Sequence, residues 1–151
     1  MLERGPCDPI RLARQVQRHV FTKLHLPVRL EDALGCYDLK LLRLELGEDD
    51  GFLMQTLPRG GVVFVNSLHH PGRQRFTAGH ELYHHLTGDR NERRANQFTA
   101  ELLMPAFAVH TIWKEIREWP EPRAWAIKLL SARLAVSAQA AAIRLRELNI
   151  L

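Results

Sequence analysis

Between residues 9 and 24 apolar side chains return every three or four positions, at Ile10, Ala13, Val16, Val20, Phe21 and Leu24. Arg11, Arg14 and Arg18 fall on another face, so the spacing predicts an amphipathic helix with a solvated arginine side. Asp8 is placed to cap it, Pro9 occupies its first position and Pro27 ends it. From residue 38 to residue 66 the period shortens to two. Three strands are predicted, over residues 38–46, 51–57 and 61–66, separated by the turn sequences GEDDG and PRGG. The run Val62, Val63, Phe64, Val65 has the β-branched and aromatic density of a strand. Short strands joined by short turns imply a small antiparallel sheet, in which residues 61–66 are either the edge bordering a cleft or a central strand paired on both sides.

After Pro71 and Gly72 the helical period resumes over residues 73–86, breaks at TGD, and continues over residues 91–104 until Pro105. Two helices joined by a tight turn follow. Three more are predicted over residues 106–119, 122–135 and 137–150, the last capped by Ser137. The fold class is therefore α+β. It divides into a domain of residues 1–110 and a helical tail of residues 111–151 packed on it. Trp113, Trp119 and Trp125 fit packing between helices better than a base-stacking platform, because none lies on a predicted strand.

With 151 residues, 46% of them hydrophobic and 25% charged, the chain has the composition of a globular domain. No apolar run approaches the roughly 18 residues that cross a bilayer, and the N-terminal residues lack the apolar stretch of a signal peptide. A cytoplasmic protein without a membrane partner is expected. Cys7 and Cys36 form no metal-binding or disulfide pattern. The net charge of +4 is dispersed along the chain, so basicity alone identifies no partner.

Histidine changes the picture. His80, Glu81, Leu82, Tyr83 and His84 spell HExxH inside a predicted helix. Side chains four apart on a helix lie about 40° apart around its axis, so both imidazoles project from one face and can share one metal ion. Glu81 lies about 100° from His80, awkward for a ligand but well placed for a general base. This division of labour suits metal-assisted hydrolysis, in which zinc acidifies a water and polarises the scissile carbonyl.

A catalytic zinc site needs a third protein ligand. Asp89, in the turn, is expected to cap the next helix, and Glu101 to face solvent. Glu92 shares a face with Asn96, Thr99 and Leu103, so a helix folded back on the first would carry it toward the imidazoles. It is the preferred ligand, with His69, His70 and His110 as alternatives. His85 points about 100° away from His84 and is expected on the surface or supporting the site. Tyr83 is expected to pack or to line the rim.

The sequence RFTAGHELYHHL followed by NERRANQFTAELLMP resembles the ImmA/IrrE family of metallo-endopeptidases, whose usual texture is RFT, HELGHH and then E.EAN.FAA.LLMP. The likeness is strongest over residues 62–105, and RLAVSAQAAAIRLRELNIL is similar to the family's helical tail. It departs at Gly79, Tyr83, Arg94 and Thr99, none of them a ligand, although Tyr83 could narrow the site. The resemblance implies a zincin-like, gluzincin-type fold in which His80, His84 and Glu92 bind Zn2+ and Glu81 is the general base. Tyr83, His85 and Asn96 are then candidate substrate or supporting residues. It implies the compact phage or mobile-element branch, whose members act on a helix-turn-helix repressor as protein substrate. The alternative is a zinc-stabilised anti-repressor that binds its partner without cutting it.

The tail, residues 129–148, has a helix-turn-helix-like string in which Arg144 and Arg146 could meet phosphate. Ala140, Ala141, Ala142, Ile143, Leu145 and Leu148 make its second helix apolar, favouring packing or partner docking over DNA binding.

Overall fold

Asp8 caps the first helix as the sequence predicts, its Oδ1 accepting from the backbone N–H of Ile10 at 2.9 Å and of Arg11 at 3.4 Å. In this computed structural model, which describes residues 7–56, 58–120 and 122–151, helix α1 spans Pro9–Val20. It stops well before Pro27, at Phe21, whose backbone is extended. A short helix that the apolar pattern does not announce, α2 (Leu30–Cys36), follows and buries Leu30, Ala33 and Leu34.

Strands β1 (Leu39–Leu44), β2 (Gly51–Gln55) and β3 (Gly61–Asn66) form one sheet in the order β1-β3-β2. The sheet is mixed rather than antiparallel: β3 runs parallel to β1 and antiparallel to β2. Of the two placements open to β3, edge or centre, it takes the centre, paired on both sides. Asn66 supplies the physical reason. Its buried side chain accepts from the N–H of Leu46 and Leu68 and donates to the carbonyls of Gly47 (2.9 Å) and Asp49 (2.8 Å). The connection from β1 to β2 is thereby pinned across the end of β3, holding the outer strands far enough apart for β3 to lie between them. Val63 and Val65 of β3 are fully buried, as suits a strand covered on its inner face and paired along both edges.

Five helices follow. They are α3 (Pro71–Thr87), α4 (Glu92–Leu103), α5 (Ala106–Ile116), α6 (Arg123–Leu134) and α7 (Ala138–Glu147). Ser137 caps α7 as predicted, accepting from Ala140 N–H at 3.0 Å. Residue 110 lies within α5, and one hydrophobic cluster joins Leu82, Phe98 and Leu102 to Ile112, Leu130 and Leu145. Among the tryptophans only Trp113 packs inside; Trp119 and Trp125 are exposed, the first beyond the end of α5 and the second in the first turn of α6. No single described helix is long and apolar enough to cross a membrane.

Two close approaches set the frame of the site. Gly72, at the start of α3, lies so near the α6–α7 turn that a Cβ there would sit 2.6 Å from the Ser137 nitrogen. Gly79, at its middle, lets α4 come equally close, since a Cβ would stand 2.7 Å from Cγ2 of Thr99. Gly79 and Thr99 are both departures from the usual family texture, and the structure shows them to be complementary. The absent methyl on one helix makes room for the branched side chain on the other.

Candidate metal centre

Helix α3 carries His80 and His84 one turn apart, with ring centroids 4.7 Å from each other. Gly88, with φ +68°, ends α3, and Asn91 caps α4 by accepting from Arg94 N–H at 3.0 Å. Asp89 is therefore not the cap. It organises the turn instead, accepting from the Tyr83 hydroxyl (2.8 Å), Asn91 N–H (2.9 Å) and Arg94 Nη1 (3.2 Å). The Tyr83 bond chiefly, followed by that from Asn91, holds its carboxyl below the usual range.

This turn folds α4 back along α3 and brings Glu92 over the two imidazoles. Glu92 Oε2 lies 2.7 Å from His80 Nε2, and Oε1 lies 3.1 Å from His84 Nε2. One ligand atom from each of His80, His84 and Glu92 lies within 4.8 Å of the others, the only group able to hold a metal ion among the described residues.

The remaining ring nitrogens test whether a metal fits. His84 Nδ1 is 2.6 Å from the Asp89 carbonyl, which can only accept, so Nδ1 carries the proton. In the neutral ring, Nε2 then presents a lone pair to the Glu92 carboxylate. His80 is arranged in the same way, its Nδ1 2.9 Å from Asn96 Oδ1. With both rings neutral, two lone pairs and a carboxylate converge on one spot, where a cation would be held by all three. The donor set, two imidazoles and a carboxylate, suits a zinc-like ion, and hydrogen bonds to the far ring nitrogens are the usual way such ligands are oriented.

The site opens into a cleft of about 840 Å³ lined by His80, Glu81, Glu92 and Asn96, by Asp50 and Gly51 at the start of β2, by Met104 at the end of α4, and by Ile143 and Glu147 of α7. Burial pushes the Glu81 carboxyl above its ordinary range, an effect that His84 and His80 oppose.

Other predicted residues lie elsewhere. Tyr83 is fully buried, its hydroxyl turned to Asp89, so it neither lines the rim nor narrows the site. His85 reaches away to the Tyr37 carbonyl at 3.2 Å, tying α3 to the end of α2. Of the alternative ligands, His69 lies beside Asp50 and Asn66, His70 caps α3 and lines the same cleft without joining the ligand group, and His110 is exposed on α5.

Glu101 departs furthest from expectation. It is 3% exposed rather than solvated, and pairs with the equally buried Arg144 of α7 and with Arg14 Nε at 3.1 Å. Arg144 also donates to the Met104 carbonyl at 3.1 Å, so this arginine is turned inward and away from any phosphate. Its burial left no local signal, because the pairing partners lie 43 residues apart.

Comparison with known proteins agrees with this architecture. Among solved structures, a Mycobacterium tuberculosis transcriptional regulator shares the fold with a TM-score of 0.64 and 17% sequence identity, covering 91% of this chain and 46% of that one. The chain thus spans less than half of that regulator's length. No curated protein sequence matches it. The family model of the IrrE N-terminal-like domain matches residues 34–146, which contain the sheet, the histidine helix, the glutamate helix and most of the tail. By that match, the chain belongs to the IrrE N-terminal-like family, Peptidase_M78, and carries its metallopeptidase-like domain.

Proposed function

We propose that the protein is a zinc-dependent endopeptidase of zincin type, acting in the cytoplasm on a protein substrate of the helix-turn-helix repressor class. The observation carrying this reading is the convergence of two oriented imidazole Nε2 atoms on Glu92, with Glu81 lining the same cleft. His80, His84 and Glu92 would hold the ion. When bound, zinc supplies Lewis acidity, polarising the scissile carbonyl and making water easier to deprotonate.

The chain's own residues do the rest. Glu81 takes the proton from the attacking water as the C–O bond forms, and returns it to the amine nitrogen as the C–N bond breaks. A carboxyl raised by burial is suited to both steps, because it holds the proton long enough to deliver it. Asn96 and the Asp89 carbonyl fix the rings through their Nδ1 protons. With β3 interior, the edge beside the cleft is β2, and a substrate strand laid against Gly51 would meet it through main-chain hydrogen bonds.

The test is Glu81→Gln. It should keep stoichiometric zinc and lose cleavage of the repressor encoded by a neighbouring gene, by at least a hundredfold, when new termini are followed by mass spectrometry. Undiminished cleavage contradicts the assignment. A second reading, regulation by contact without cleavage, draws on the structural neighbour being named a transcriptional regulator. It predicts a stable complex with that repressor, no new termini, and a phenotype that survives Glu81→Gln.

A further inference from the structure

The inner face of the sheet packs on α3 through Val63 and Val65, whereas its outer face carries no element among the described residues. That outer face is nevertheless apolar. The strand register places Leu42 of β1 beside Phe64 of β3, and Phe64 beside Phe52 of β2; in the next row Val62 stands beside Met54. Leu42, Leu44, Phe52 and Met54 are each about half exposed, and the Phe52 and Phe64 rings stack with centroids 4.8 Å apart. A solvated sheet face ordinarily alternates to polar side chains, which this one does not.

The charges around this face identify what it fits. Lys40 and Arg59 stand at the end where β1 and β3 begin, with Asp38 3.7 Å from the Arg59 guanidinium. Glu45, Glu48 and Asp49 stand at the opposite end, in the connection from β1 to β2, and all are exposed. Neither Lys40 nor any of these three acids has an ion-pair partner among the described residues. The face is therefore apolar in the middle, basic at one end and acidic at the other, a surface complementary to itself when turned end for end.

We propose that this face joins two copies of the chain in a two-fold dimer, sheet against sheet. A two-fold axis in the interface, perpendicular to the strands, reverses strand direction and lays the basic end of each copy over the acidic end of the other. An axis along the strands would set like charges together, so the charge pattern selects the first arrangement. Both clefts remain open, because they lie on the α3 side of the sheet. Strands about 4.8 Å apart and about 3.3 Å per residue make the apolar face only roughly 300 Å² in flat extent. A standard interface covers about 800 Å² per partner, so the rim must contribute and the dimer is weak and salt-sensitive. The proposal does not depend on the peptidase reading.

Sedimentation velocity of the full chain, from low to high micromolar concentration, tests it. The wild type should shift from monomer toward dimer as concentration rises, and the shift should shrink at high salt. Phe52→Asp or Leu42→Asp should abolish it while the melting temperature stays within a few degrees. The rim variants decide the matter independently of any folding defect in those two, since they change only exposed positions. K40E/R59E makes both ends acidic and E48K/D49K makes both basic, so each alone should weaken self-association at least tenfold. Mixed one to one, the two should recover dimer near wild-type strength. A wild type that stays monomeric over the whole range overturns the proposal and leaves the face to a different protein. Association unchanged by Phe52→Asp, or a mixture no stronger than its components, overturns it equally.

Discussion

Helix α4 carries two glutamates near its ends that share chemistry and differ in every surrounding. Glu92, in the first turn, is 72% exposed and faces two imidazole Nε2 atoms. Glu101, in the last, is 3% exposed and faces two guanidinium groups. The buried acid already has its cations, supplied by α1 and α7. The exposed one faces two ring nitrogens, His80 Nε2 and His84 Nε2, in a donor set that could hold a metal ion. A carboxylate's role on this helix is decided by what the rest of the fold brings to it, not by its residue type.

The largest expected effect separates the two ends. Arg144→Ala leaves Glu101 buried with only Arg14 beside it, and should cost about 3–5 kcal/mol in urea unfolding. Replacing Glu101 and Arg144 together by methionines should cost much less, because no uncompensated charge stays inside. Glu92→Gln, at an exposed position, should shift the stability of the metal-free protein by no more than about 0.5 kcal/mol. Equal losses from Arg144→Ala and Glu92→Gln would erase the contrast.

A smaller effect comes from the seating of α4 on α3 between its two ends. Gly79→Ala drives a methyl against Thr99, whose β-branched side chain has little freedom to yield, and should destabilise by about 1–3 kcal/mol. Thr99→Ala in the same chain should recover most of that loss, a coupling readable from a double-mutant cycle. Additive losses would mean that the two helices are not in contact there.

The smallest concerns pH. Asp89 is held below its ordinary range in the folded protein, so it contributes stability above the unfolded value, near pH 4, and that contribution is lost as pH falls through the folded value. Thermal melts of the metal-free protein should therefore fall more steeply on acidification in the wild type than in Asp89→Asn, and parallel slopes would remove Asp89 as the group that fixes the turn.

The same contrast marks what could be read from sequence. His80, Glu81, His84 and Glu92 were legible because helical spacing and one tight turn are local, and those two facts nearly determine where the four side chains go. The caps Asp8 and Ser137 were legible for the same reason. The order β1-β3-β2 was not, since alternation predicts strands and leaves their neighbours open; here Asn66 settles the order through bonds to residues up to 20 positions away. The helical angle of Glu101 points away from the metal site and so predicts a surface position, but the angle says nothing of Arg144 on a distant helix. Asp89 and Asn91 are both good capping residues two positions apart, and only the turn geometry gives the cap to Asn91.

Zinc binding tests the central claim most directly. Purified wild type, His80→Ala, Glu92→Ala and, as the control from the buried end of the same helix, Glu101→Gln can be loaded with zinc, dialysed, and measured for metal content and melting temperature. The wild type should retain one zinc per chain and melt higher with it than without. His80→Ala and Glu92→Ala should lose both the metal and the increment, while Glu101→Gln should melt lower yet keep the metal. Stoichiometric zinc retained in both His80→Ala and Glu92→Ala would contradict the account.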